Sequence, residues 1–94
     1  MISIQQFGSG VIADLIRRQP ASKERTALAW QLAVGTALAR VTTVELRDGM
    51  LTVGAADPRW VAEVLRAREV VLRKMQHLLG ADEVTRLTSR RDRG

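Results

Sequence analysis

The sequence predicts an α+β fold in which a three-stranded sheet carries helices on one face, in the order α-α-β-β-α-β. Apolar residues at helical spacing lie on both sides of a short stretch in which polar and apolar residues alternate. An Asp-Gly pair at positions 48 and 49 divides that stretch into two strands. Such elements pack as a two-layer sandwich. The 94 residues form one domain with a small core, which leaves room for homodimerisation or a stabilising partner.

The first predicted helix runs from Gly10 to Arg18, where four apolar residues recur at helical spacing. Pro20 ends this segment because the residue before a proline avoids the helical region. Ser22 then offers a suitable N-cap for a second helix. We therefore divide the chain into an N-terminal helix and loop at 1–22, a domain at 23–89 and a basic disordered tail at 90–94.

The second predicted helix runs from Lys23 to Arg40 and carries Trp30 on its apolar stripe. Gly35 lies inside it, where glycine costs about 1 kcal/mol relative to alanine. This position predicts a close approach of the helix to another element. Trp30 and Gly35 are therefore interpreted as structural residues.

Asp48 and Gly49 are typical of a two-residue type I′ hairpin turn, in which both central residues have positive φ. The predicted cross-strand pairs are Arg47 with Met50, Leu46 with Leu51, Val44 with Val53, and Thr42 with Ala55. This register places the apolar pairs on one buried face. The opposite, wet face then collects Thr43, Glu45, Arg47 and Thr52.

Asp57 and Pro58 form an N-cap and first-turn pair that predicts a third helix, continuing to Leu79. Trp60 lies in its first turn and is interpreted as a structural residue that is less enclosed than Trp30. Residues 83–89 are rich in β-forming side chains and predict a third strand.

Composition argues against an enzyme. The chain has no cysteine and a single histidine, His77, which excludes a thiol nucleophile, a thiolate zinc site and a histidine-rich metal site. We expect no catalytic residue, metal or cofactor. There is no signal-peptide pattern and no apolar run long enough to span a membrane, so a cytoplasmic, nucleoid-associated protein is expected.

Several dispersed segments together resemble the DciA family of bacterial proteins. They are Ala29–Gly35 with Ala37 and Ala39, the hairpin Val44–Val53, then Trp60, Glu63 and Leu65, and finally Leu79, Gly80 and Val84. The resemblance covers residues 27–88. It implies a K-homology-like domain that binds single-stranded or forked DNA and contacts the DnaB-type replicative helicase hexamer without hydrolysing ATP. The chain has no Gly-x-x-Gly loop of the RNA-binding K-homology type and only a short tail after Ser89.

A net charge of +5 favours an anionic partner. Two basic clusters are the candidate nucleic-acid contacts: Arg17, Arg18, Lys23 and Arg25 around the first loop, and Arg86, Arg90, Arg91 and Arg93 at the carboxyl end. No aromatic residue lies on the wet face of the hairpin, which argues against base stacking there. The alternative is a protein-interaction or dimerisation module whose charge serves solubility.

Overall fold

A computed structural model describes the backbone of residues 4–90 and the side chains of residues 11–90. Two of the candidate contacts, Arg91 and Arg93, therefore lie outside the described residues. The helices are α1 Ile4–Arg18, α2 Lys23–Val34, α3 Thr36–Arg40, α4 Pro58–Arg66 and α5 Arg68–Leu79. The strands are β1 Thr43–Arg47, β2 Met50–Gly54 and β3 Arg86–Ser89. The predicted α+β class with a three-stranded sheet is confirmed.

The sheet has the order β1-β2-β3, and its hairpin has the predicted register. Strands β1 and β2 are antiparallel, with Val44 opposite Val53 and Leu46 opposite Leu51. Asp48 and Gly49 have φ values of 51° and 81°, as a type I′ turn requires. Thr42 lies just outside β1, so its predicted pairing with Ala55 does not extend the ladder. Strand β3 is parallel to β2 and is reached through α4 and α5.

The prediction of one helix from Lys23 to Arg40 is wrong, because Gly35 separates α2 from α3. Gly35 has φ +94° and ψ 157°, a conformation that is almost exclusive to glycine. Its N–H still bonds to the Gln31 carbonyl, so it closes α2 before α3 begins. A Cβ atom built at Gly35 would meet no heavy atom within 4 Å. The expected close approach is therefore also wrong, and glycine is needed here for its backbone.

The prediction of one helix from Pro58 to Leu79 is wrong as well, because Ala67 divides it into α4 and α5. Ala67 has φ −105° and ψ 23°. The two halves have largely different neighbours: α4 contacts β2 and β3, whereas α5 contacts mainly α1 and α2, with a smaller contact to β3. A straight helix presents one apolar stripe in one direction. The break allows Val64 and Met75 to be buried against these different partners.

Two other predicted boundaries are also corrected. The first helix begins at Ile4 rather than Gly10, because Gly8 and Gly10 weaken a helix without forbidding it. The third strand begins at Arg86 rather than Glu83. Val84 is buried in the turn before the strand, where its carbonyl accepts a hydrogen bond of 2.9 Å from the Gln76 side chain.

The core lies between the inner face of the sheet and the helix layer. Its largest fully buried side chains are Trp30, Leu51, Met75, Val53, Val64 and Val84. The indole Nε1 of Trp30 donates to Thr42 Oγ1 at 2.8 Å, and that hydroxyl donates to the Leu38 carbonyl at 2.8 Å. A buried indole needs such an acceptor. Among residues 4–90, no helix combines the length and apolarity that crossing a membrane requires.

Candidate nucleic-acid interface

The strands of the sheet place one set of polar side chains on the side facing away from the helices. Leu51 and Leu87 are buried against the helices. Because side chains alternate along a strand, the residues next to them in the sequence point to the other side of the sheet. We call this surface the outer face. It comprises Thr43, Glu45, Arg47, Met50, Thr52, Arg86, Thr88 and Arg90. Each of these residues is at least partly exposed.

Cross-strand pairing arranges the outer face in rows. Met50 is paired with Arg47 on one side and with Arg86 on the other, so two arginines flank one methionine. In the next row, Thr52 lies between Glu45 and Thr88. Arg90 follows β3, and its N–H donates to the Val53 carbonyl at 2.7 Å. The outer face therefore carries three arginines and one glutamate.

Glu45 lies between two of these arginines. Its Oε2 is 3.4 Å from Arg47 Nη2, and its Oε1 is 3.9 Å from Arg90 Nη2. All three side chains are more than half exposed, so these pairs contribute little to stability. The glutamate lies between the two guanidinium groups, and most of their N–H donors have no partner among the described residues.

The third strand begins beside the hairpin turn. The Gly49 carbonyl accepts hydrogen bonds from the Thr85 N–H at 2.7 Å and the Arg86 N–H at 3.1 Å. A Cβ atom at Gly49 would lie 2.8 Å from Thr85 Oγ1, so a larger residue would require the Thr85 side chain to move. At Gly54, a Cβ atom would lie 3.1 Å from Thr43 Oγ1 and 3.7 Å from the Arg90 Cβ, which is an ordinary van der Waals contact.

Two residues of the predicted basic cluster around the first loop pair with one aspartate of α1. Arg18 Nη2 lies 3.0 Å from Asp14 Oδ2, and Arg17 Nη2 lies 3.8 Å from Asp14 Oδ1. Arg17 also donates to the carbonyl of His77, which ties α1 to the end of α5. Lys23 is exposed at the start of α2.

Arg25 has a structural environment. The residue is 8% exposed, and its guanidinium donates to Glu83 Oε1 at 3.0 Å and to the Gln19 carbonyl at 3.1 Å. These contacts join the start of α2 to the loop before β3 and to the end of the α1 segment. With its Nη groups occupied in this way, Arg25 is not included in the candidate interface.

A groove of about 780 Å³ runs along the free side of β1 and brings parts of both predicted basic clusters together. We call it the edge groove. Its charged lining residues are Lys23, Arg25, Arg47 and Arg90 and the acids Glu45, Asp48, Asp82 and Glu83. Basic and acidic groups are equal in number there. The outer face, with its excess of arginine, is the more favourable surface for a polyanion.

Arg47 was not among the predicted contacts, although its alternation within the hairpin had placed it on the wet face. A second feature missed from the sequence is an apolar groove of about 620 Å³ between α1 and α2. Leu15, Leu28 and Leu32 line it and are each about half exposed. The signal was present in the sequence as apolar residues four apart on each helix.

Nothing among the described side chains resembles a catalytic centre. No group of three His, Asp or Glu residues within the described part of the chain is placed to hold a metal ion. Asp57 does have a perturbed pKa. Its carboxylate accepts from the Arg59 guanidinium at 2.7 Å and from the Arg59 N–H at 2.9 Å, which holds the pKa of Asp57 below its ordinary value. This arrangement is the exposed N-cap of α4.

A family model described as Dna[CI] antecedent, DciA, matches residues 3–88 of the 94-residue chain. The chain belongs to the DciA family. The resemblance noted in the sequence is thereby confirmed, because the match includes all of residues 27–88. The DciA family is associated with the DnaB helicase and its loading, which supports an accessory role in DNA replication. No curated protein matches the chain.

Proposed function

We propose that this DciA-family chain is a non-catalytic accessory of the DnaB-type replicative helicase that binds single-stranded or forked DNA through the outer face of its sheet. Its fold would then serve as a K-homology-like platform, and its place of action would be the nucleoid. The observation that supports this most directly is the placement of Arg47, Arg86 and Arg90 on one open, polar surface.

The chemistry of the outer face favours the sugar-phosphate backbone over the bases. Arginine presents a planar fork that matches phosphate oxygens, and the hydroxyls of Thr52 and Thr88 add neutral donors between the arginines. Stacking on bases needs aromatic side chains, and the outer face has none. Binding through this surface is therefore expected to be indifferent to base sequence and strongly dependent on salt.

The test is a fluorescence-anisotropy titration of single-stranded and forked DNA at several salt concentrations. Replacing Arg47, Arg86 and Arg90 together by alanine removes three phosphate contacts, so the slope of log affinity against log salt should shrink by about 2 for single strands. The matched control removes three exposed basic residues of the helix layer, Arg66, Arg73 and Lys74. A wild-type protein that does not bind DNA at low salt, or a control variant that loses as much slope, would overturn the proposal.

A second candidate function is a protein-interaction module, and the apolar groove between α1 and α2 favours it. Half-exposed leucines on neighbouring helices form the kind of surface that receives a partner's apolar side chains. Within the proposed function this groove is assigned to the helicase hexamer, while DNA occupies the outer face. Both surfaces can then act together, because they are formed by different elements.

Exchange of Leu28 and Leu32 for aspartate tests this assignment in a pull-down of the helicase hexamer. Capture should be lost, while DNA affinity at low salt should stay within about twofold of the wild type. The outer-face variant should show the opposite pattern. If the leucine variant captures the helicase normally, the groove is not the contact. If the wild type captures helicase in a salt-insensitive manner but does not bind DNA, the interaction-module function is correct and the DNA-binding function is not.

A further inference from the structure

The free edge of β1 has a feature that neither proposed function uses. In the described sheet, β1 pairs only with β2, and its other side faces the edge groove. Exposed strand edges are usually protected by a proline, a bulge, charged side chains or a covering element. Strand β1 has no proline and no bulge, and its ladder with β2 is continuous. Helix α2 packs against β1 and borders the edge groove. The two charged residues of β1, Glu45 and Arg47, have opposite signs, so they do not exclude a strand with the same sequence.

The hairpin determines which backbone groups of β1 point toward the groove. The two-residue turn is closed by the pair Arg47 and Met50, in which the Arg47 carbonyl accepts from the Met50 N–H. Hydrogen-bonding direction alternates along an antiparallel strand. Arg47, Glu45 and Thr43 therefore direct their backbone groups toward β2, and those of Leu46 and Val44 point outward to the free edge.

Only three antiparallel registers between two copies of β1 join these outward groups about a two-fold axis. They are centred on Val44, on Glu45 or on Leu46. Centring on Glu45 places Glu45 of one copy opposite Glu45 of the other, a like-charge pair that is unfavourable. Centring on Val44 places Glu45 opposite Thr43, so neither Glu45 nor Arg47 faces an opposite charge in the other copy.

Centring on Leu46 places Glu45 of each copy directly opposite Arg47 of the other. Both residues lie on the outer face, in the closely spaced type of pair that has no backbone hydrogen bonds. The two leucines meet on the opposite side of the sheet. Charge complementarity therefore selects one register out of three, and its occupant is a second copy of this chain.

We propose that two copies of this protein associate through antiparallel pairing of their β1 strands, centred on Leu46, to form a continuous six-stranded sheet. The overlap involves only three residue pairs within the strands, so the interface is smaller than that of a stable dimer and the association is weak and concentration-dependent. This inference rests on the geometry of the β1 edge and does not depend on DNA or helicase binding.

Disulfide crosslinking distinguishes the three registers, because the 94-residue chain has no cysteine of its own. Single-cysteine variants at Thr43, Glu45 and Arg47 are mixed in pairs and oxidised. Residues directly opposite each other lie within disulfide range. The Leu46-centred dimer gives its main product from Glu45→Cys mixed with Arg47→Cys. A main product from Thr43→Cys with Arg47→Cys, or from Thr43→Cys with Glu45→Cys, would indicate one of the other registers and overturn the proposal, and so would no product from any mixture.

Sedimentation velocity over a range of protein concentrations tests the charge pairing without crosslinking. Glu45→Arg alone and Arg47→Glu alone should each weaken self-association about tenfold, because each places like charges opposite each other twice. The combined Glu45→Arg and Arg47→Glu variant restores both pairs and should recover it. Glu63→Arg, an exposed charge reversal on α4, should have no effect. Equal behaviour of all four variants would show that these charges do not determine the pairing.

Discussion

Trp30 and Trp60, the only two tryptophans of the chain, have very different surroundings. Trp30 lies in the middle of α2, is 2% exposed, and donates its indole N–H to Thr42. Trp60 lies in the first turn of α4 and is 38% exposed. Both residues occupy the apolar side of a helix. The difference shows that position along a helix, as well as the side of the helix, determines how completely an indole is buried.

The strongest test of this comparison is replacement of each tryptophan by alanine. Trp30→Ala should lower the free energy of unfolding by about 3–5 kcal/mol, because it leaves a large cavity in the core. Trp60→Ala should lower it less, by about 1–3 kcal/mol, since Trp60 is already 38% exposed in the folded chain. Urea unfolding followed by far-UV circular dichroism measures both. Equal losses would show that Trp60 is as important to the core as Trp30.

Removing the hydrogen bond of the Trp30 indole should cause the next largest loss in the free energy of unfolding. Thr42→Val keeps the shape of the side chain but removes the oxygen that accepts from the indole and donates to the Leu38 carbonyl. Leaving the buried N–H without a partner should cost about 2 kcal/mol in the same unfolding measurement. Thr42→Ser retains the hydroxyl and serves as the control. A valine variant no less stable than the serine variant would mean that the indole finds another acceptor.

A substitution at Gly35, which ends the helix that carries Trp30, should have a smaller effect on the free energy of unfolding. Gly35→Ala places a side chain at φ +94°, which should cost about 1–2 kcal/mol through backbone strain, because the space around the position is open. Thr36→Ala, at the exposed neighbouring position, should change the free energy of unfolding by less than about 0.5 kcal/mol. If Gly35→Ala were as well tolerated as Thr36→Ala, the chain at position 35 could adopt an ordinary conformation.

The turn of the hairpin and its register from Val44 to Val53 were predictable because their signal is local. Asp48 and Gly49 determine the turn, the turn determines the register, and the register determines which side chains face outward. Arg47 could therefore have been assigned to the candidate interface from the sequence. It was omitted because the assignment relied on clustering along the chain, whereas the outer face assembles Arg47, Arg86 and Arg90 from separate strands.

The features that sequence reasoning did not find depend on distant contacts. Arg25 is buried and donates to Glu83, a residue 58 positions away, so nothing in its sequence neighbourhood distinguishes it from exposed Lys23. Ala67 is a good helix former, and the break there reflects the different neighbours of α4 and α5. At Gly35 the signal was present, but a glycine inside a helical pattern is compatible with both close packing and a chain break.

The smallest predicted effect is a pH-dependent loosening at the start of α4, the helix that carries Trp60. The Arg59 hydrogen bonds lower the pKa of Asp57 in the folded chain. The stabilisation of the α4 start by this carboxylate is therefore complete above the pKa of the unfolded chain, about 3.9, and is lost as the pH falls through the lower pKa of the folded chain. Acrylamide quenching of tryptophan fluorescence should detect loosening of the first turn, because Trp60 is the accessible indole.

An Asp57→Asn variant makes this prediction decisive. Asparagine is an equally favourable N-cap but does not titrate. In the wild type, quenching of the exposed indole should increase as the pH falls through the lowered pKa of Asp57, while the buried Trp30 stays protected. In the asparagine variant this increase should be absent. An equal increase in both proteins would assign the acid response to another group, and an increase that also reaches Trp30 would show that the whole domain unfolds rather than the start of α4 alone.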